Sequence, residues 1–193
     1  MKKISALCLT IFLSLGLSIG DNAPTFDLKG SPKNVDLKKL KGKFIVLEWF
    51  NDGCPFVRKH YDSGNMQSLQ KKYKEKVVWL TINSSAPGRQ GYLKDLSVAK
   101  AMYKNENMFS SSLLLDKGGK TGMDYRAKTT PHMYIINPKG KIIYQGAIDS
   151  IPSADRMDIK MSKNYVSMAL DQALGDKEVI VKKTRPYGCS VKY

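Results

Sequence analysis

The run Phe44-Ile45-Val46-Leu47-Glu48-Trp49-Phe50 is apolar at all but one position, and it passes through Asn51-Asp52-Gly53-Cys54 into Pro55 and a stretch of helical spacing. A continuous apolar run bounded by turn residues fits a strand buried on both faces, and strands of that kind belong to sheets covered by helices. The chain is thereby committed to an α/β layering around one strand-turn-helix unit. Pro55 suits the first helical position, because an N–H there would have no intrahelical partner. Cys54 thus stands at a helix start, where free amide hydrogens and the helix dipole favour the thiolate over a thiol of ordinary pKa about 8.5. The plainer reading is a buried structural thiol, since free cysteine is a common core residue.

The rest of the chain alternates in the same way. Val77-Val78-Trp79-Leu80-Thr81-Ile82 reads as a second central strand, and Leu113-Leu114-Leu115-Asp116 as a short buried one. Helical spacing runs from Pro55 to about Tyr73, with a break at Asp62-Ser63-Gly64-Asn65, and again over residues 92–103 and 162–174. Asp36 to Lys43 forms one helical turn closed by Gly42. Met133–Asn137 and Lys141–Gln145 flank Pro138-Lys139-Gly140 as a hairpin. A mixed central sheet flanked by helices follows, with an extended N-terminal segment and a C-terminal tail from about residue 176. With 193 residues the chain holds one well-cored domain rather than two.

Thr130-Pro131-His132 leads into the hairpin, much later in the chain than the thiol. Together with Glu48-Trp49-Phe50-Asn51-Asp52-Gly53-Cys54-Pro55-Phe56-Val57, Gly146-Ala147-Ile148-Asp149 and Gly188-Cys189-Ser190-Val191-Lys192-Tyr193, it resembles the redoxin branch of the thioredoxin fold over residues 24–193. That branch comprises the thioredoxin-like and peroxiredoxin-like proteins grouped with alkyl hydroperoxide reductase and thiol-specific antioxidant. The resemblance implies a thiol-dependent oxidoreductase in which Cys54 attacks a peroxide or a disulfide, with Thr130 and a cis Pro131 holding the substrate backbone or sulfur. It implies no organic cofactor and no metal, with electrons arriving from a thiol donor.

Two departures qualify the likeness. Three positions after Cys54 stands Val57, so the Cys-x-x-Cys pair of disulfide exchangers is absent. A sulfenic acid or mixed disulfide on Cys54 then needs a distant resolver, and Cys189 in its Pro186-Tyr187-Gly188 tail is the candidate, as is an external thiol. The peroxiredoxin pattern Pro-x-x-x-Thr/Ser-x-x-Cys has Leu47 and Asn51 at its matching positions. Asn51 and Arg126 are therefore the candidates for polarising an oxyanion or peroxide oxygen. Glu48, inside an apolar strand, reads either as a surface-edge residue or as a buried proton acceptor near the thiol, the second being favoured. His60 lies nearly two helical turns past Cys54 and His132 reads as a packed strand residue, so neither is favoured as a base.

Residues 1–20 carry Lys2-Lys3, an uncharged run and Ser18-Ile19-Gly20, the pattern of a secretory leader cleaved before Asp21. The expected product is an exported protein of the periplasm or another extracytoplasmic space, soluble after cleavage, for which nucleic acid is not the natural partner. Losing Lys2 and Lys3 takes the formal charge from +15 to +13, and the lysine clusters read as solvated faces. Cys8 leaves with the leader. Cys54 and Cys189 remain, and in an oxidising compartment they form either a catalytic pair or a permanent staple in a non-catalytic binding protein.

Overall fold

The computed structural model describes residues 16–193, so most of the expected leader, Cys8 included, lies outside the described residues. A seven-stranded sheet runs in the order β2-β1-β5-β4-β3-β7-β8. Its strands are β1 (Asp27–Ser31), β2 (Val35–Asp36), β3 (Phe44–Trp49), β4 (Val77–Asn83), β5 (Ser112–Leu115), β7 (Met133–Ile136) and β8 (Ile142–Gly146). Strands β3, β4 and β5 are parallel neighbours, while β7 and β1 flank them antiparallel. This is the mixed sheet of the thioredoxin fold. The helices are α1 (Pro55–Asp62), α2 (Asn65–Tyr73), α3 (Leu96–Asn105), the short α4 (Lys120–Asp124) and α5 (Tyr165–Leu174).

The two-residue period of β3 sorts its side chains between two cores. Ile45, Leu47 and Trp49 enter one cluster with Leu80, Ile82 and Tyr134. Val46 and Phe50 enter the other, with Val57 and Tyr61 of α1, Met66 and Leu69 of α2, and Val166 and Leu170 of α5. Glu48 falls in phase with Val46 and Phe50, so the one charged residue of the run projects onto the helix-covered face.

Helix boundaries follow caps that periodicity alone misses. The expected helix 92–103 begins at Leu96, because the Asp95 carboxylate accepts from the amides of Ser97 (2.9 Å) and Val98 (3.0 Å). Leu93 is consequently buried in the preceding loop, and Leu96 is exposed. The last helix starts at Tyr165 rather than 162, since Asn164 Oδ1 accepts from Ser167 N at 2.8 Å. The expected break between α1 and α2 occurs at Ser63 and Gly64. The expected helical turn after Asp36 is a 3₁₀ helix at Leu37–Leu40.

Two segments at the chain ends carry structure that the sequence pattern does not announce. Gly20 N donates to Ile142 O at 2.8 Å and Ile142 N to Asp21 O at 3.0 Å, so the point of expected cleavage lies along β8. At the other end β9 (Cys189–Ser190) pairs antiparallel with β6 (Thr129–Thr130) in a separate two-stranded ladder. Leu47 is wholly buried in the centre of β3. Leu47→Ala is expected to cost about 2–5 kcal/mol in a urea unfolding series, through lost burial and the cavity left behind.

Candidate active site

Cys54 is the N-cap residue of α1, with Pro55 at the first helical position. The approach loop is fixed by its own side chains. Asn51 Oδ1 accepts from Gly53 N at 3.0 Å, Asn51 Nδ2 donates to Gln90 O at 3.0 Å, and Gln90 Nε2 returns to Gly53 O at 3.0 Å. Gly91, at φ +74, is what lets the neighbouring loop lie against Asn51, since a Cβ there would collide with the amide.

The peptide bond between Thr130 and Pro131 is cis, and this loop lies directly on the sulfur. Cys54 Sγ donates to Thr130 O at 3.0 Å, a contact that only the thiol makes. Cys189 is the register partner of Thr130 in the β6–β9 ladder, which brings the second thiol to the first. Gly188 makes this possible: at φ +135 its α-carbon sits against the Thr130 carbonyl, where a side chain would clash with backbone.

The two sulfurs titrate in opposite directions. Burial opposes a Cys54 thiolate, yet the hydrogen bond from the Cys189 thiol, with smaller contributions from Thr130 and from the amides of Cys189 and Val57, outweighs it, and its pKa is lowered. Burial, followed by the hydrogen bond and charge of Cys54, pushes Cys189 up to about 11. The pair therefore releases its first proton from Cys54 while Cys189 keeps its own and donates it. Both are free thiols in the structure.

Cys54 has no solvent exposure. Tyr187 and Cys189 of the C-terminal tail pack against the cluster that contains it. A cleft of about 560 Å³ opens beside the tail, walled by Thr129, Asp149, Tyr165, Thr184 and Tyr187.

The remaining expected site residues are dispersed. Glu48 is buried under α1 and α2, where it accepts from Tyr61 (2.7 Å), Trp79 Nε1 (2.7 Å), Gln70 (3.1 Å) and Thr81 (3.3 Å). Burial raises its pKa against those four donors, and it shares no hydrogen bond with Cys54. Asn51 spends both amide atoms on the loop described above. Arg126 is exposed at φ +51 and lines a separate pocket with His132, Lys128 and Lys183. It makes no hydrogen bond or ion pair with Cys54.

Sequence reasoning missed a buried polar cluster on α1. Lys59 Nζ lies 3.0 Å from Asp149 Oδ2 and also donates to Ile151 O at 2.9 Å, with both side chains out of contact with solvent. Removing one member of such a pair costs about 3–5 kcal/mol, because the other charge is left buried and uncompensated. Tyr187 of the tail donates to Asp149 Oδ1, and His60 Nε2 lies 3.3 Å from the same hydroxyl. Asn65 Nδ2 donates to His60 Nδ1 at 2.8 Å, which places the imidazole proton on Nε2, facing Tyr187. Helical spacing gave no sign of this cluster; the only local signals were a tyrosine beside Cys189 and an aspartate after an apolar strand.

The Redoxin family model matches residues 18–161. The chain belongs to the redoxin family. It is 29% identical over 132 residues to the thiol-disulfide oxidoreductase ResA of Bacillus thuringiensis (strain Al Hakam), covering 67% of this chain and 69% of ResA. To ResA of Bacillus subtilis (strain 168) it is 24% identical over 147 residues, covering 72% and 76%. Among solved structures, an uncharacterized conserved protein from Geobacillus kaustophilus superposes with a TM-score of 0.73 at 25% identity, over 92% of this redoxin and 93% of that chain. A thiol:disulfide interchange protein from Bacteroides sp. shares the fold, with a TM-score of 0.54 at 16% identity over 76% of this redoxin and 90% of that chain. This redoxin is accordingly a thiol oxidoreductase of the thioredoxin-like class. The tail with Cys189 lies beyond the residues that the family model matches.

Both histidines are buried, and burial lowers His60 to about 4 and His132 to about 3. The unfolded chain binds these protons below about 6.5, the folded chain only below the lowered values. The associated stability is fully present above pH 6.5 and is lost as pH falls toward 4. For His60 the window corresponds to roughly 3 kcal/mol at about 1.4 kcal/mol per pKa unit. His60→Gln should flatten the urea midpoint between pH 6.5 and 4, and an unchanged slope would remove His60 from the account.

Proposed function

We propose that this redoxin is an exported thiol–disulfide oxidoreductase whose working pair is Cys54 and Cys189. The observation that carries the reading is the register of Cys189 on Thr130, which sets a high-pKa thiol against a low-pKa one beside the cis proline. The Cys54 thiolate attacks one sulfur of a substrate disulfide, forming a mixed disulfide and releasing the other sulfur as a thiol. Cys189 then gives up its proton and attacks Cys54, so the bound substrate half leaves as a second thiol and a Cys54–Cys189 disulfide remains. An external dithiol reduces that disulfide and is itself oxidised. The ResA relatives, named for thiol–disulfide chemistry, favour a disulfide substrate over a peroxide. The placement of Asn51 and Arg126 favours it too, because neither aims a free donor at the sulfur. Thr130 and Pro131 are the residues proposed to face the substrate, and Glu48 is proposed to act through the helices it braces rather than by direct proton transfer. Export rests on the leader pattern of residues 1–20.

The test uses the purified chain with a cysteine-containing peptide disulfide. Cys54→Ser is expected to abolish exchange, and Cys189→Ser to accumulate a mixed disulfide on Cys54 visible by intact mass. Full exchange by the Cys54 variant would overturn the proposal. A Cys54–Cys189 bond that resists millimolar glutathione would instead favour the staple, for which chain-entropy estimates give about 4–5 kcal/mol of stabilisation for a loop of this order.

A further inference from the structure

The tail strap beside Cys54 is anchored on both sides of Cys189 by a tyrosine. Upstream, the Tyr187 ring packs edge-on against Phe56 with centroids 5.8 Å apart, and its hydroxyl enters the cluster of Asp149, His60 and Lys59. Phe56, Lys59 and His60 all belong to α1, the helix that carries Cys54 at its first cap position. The tail is thus referenced to the same rigid element as the nucleophile. The hydroxyl is also chemically specified. It donates to Asp149 and accepts from His60 Nε2–H, so a phenylalanine would leave one acceptor and one donor short in a buried site.

Downstream, Val191 N donates to Lys128 O at 3.1 Å and Ala86 N to Lys192 O at 2.7 Å. The Tyr193 ring then covers Gly119 and Gly122, where no side chain would fit beneath it, and its hydroxyl donates to Ala127 O at 2.9 Å. Between the two anchors only Cys189 and Ser190 pair with β6. A two-residue ladder is too short to hold a chain end by itself.

We propose that Tyr187 and Tyr193 are positioning residues that clamp the tail at two points, holding Cys189 in register with Thr130 beside Cys54 and closing the sulfur to solvent. The inference rests on the proposed Cys54–Cys189 pair. In this arrangement the clamp sets the effective concentration of Cys189 at Cys54, and opening it is what admits a substrate disulfide or a reducing dithiol.

Two measurements on the full chain test it. The first is the equilibrium between the dithiol form and the Cys54–Cys189 disulfide in glutathione redox buffers, read by alkylation and mass. The second is the rate at which iodoacetamide modifies Cys54, with every protein carrying Cys189→Ser so that the neighbouring thiol is constant. Tyr187→Phe and Tyr193→Ala are each expected to lower the disulfide-forming equilibrium constant about tenfold and to raise the alkylation rate about tenfold. Ile180→Ser, at a position 79% exposed upstream of the strap, should change neither. Tyr193 is itself partly exposed, so its variant keeps the test valid if Tyr187→Phe fails to fold. If the wild-type chain forms the disulfide and neither tyrosine variant alters the two readouts, the clamp is wrong and the thiol pair stands. A wild-type chain that forms no internal disulfide in any buffer overturns both.

Discussion

The backbone pairing of Cys189 with Thr130 is the constraint on which the site depends. A thiol at a helix start gains stabilisation of its anion from free amides and the dipole, but complete burial works against it. In this chain the balance is tipped by groups that the tail delivers: the Cys189 thiol and the Cys189 amide are two of the four hydrogen bonds favouring the Cys54 thiolate. Without the tail, the sulfur would lose both of those donors together. The environment of the nucleophile is therefore assembled from two distant parts of the chain, the β3–α1 junction and the last few residues.

The tail is tied down by polar contacts in a place where such contacts are costly to leave incomplete. Lys59 and Asp149 are a buried ion pair, a feature that contributes little net stability but makes every neighbouring hydrogen bond count. Tyr187 closes that cluster by meeting Asp149 and His60 at once. The same low-dielectric surroundings keep His60 neutral, so the latch presents an N–H to the tail rather than a charge. Glu48 plays a comparable part beneath α1 and α2, where four donors converge on one carboxyl and join β3, β4 and both helices.

Much of the fold was readable because burial imposes period. The run at 44–50 reads as a doubly buried strand since both faces of β3 meet a core, and the cap position of Cys54 follows from the residues around Pro55. The helix starts at Leu96 and Tyr165 were misplaced by three or four residues because caps are made by single side chains, Asp95 and Asn164, that periodicity ignores. Glu48 was legible as buried from its strand neighbours, whereas its partners come from three other elements. Asn51 and Arg126 were proposed for their donor chemistry, and the structure gives the first to loop bracing and the second to a different pocket.

By itself the sequence determined the α/β layering, the placement of a thiol at a helix start, the loop of Thr130 and Pro131 ahead of a hairpin, and the lack of a second cysteine three residues on. These are local properties, written in spacing and in the backbone preferences of proline and glycine. Only the tertiary structure decided that the tail runs back across the sheet end, that Cys189 sits in register with Thr130, and that Tyr187 meets a buried lysine and aspartate. Those pairings join residues 38 or more positions apart, and no periodicity encodes such contacts, because they depend on how separately stable elements come to share one space.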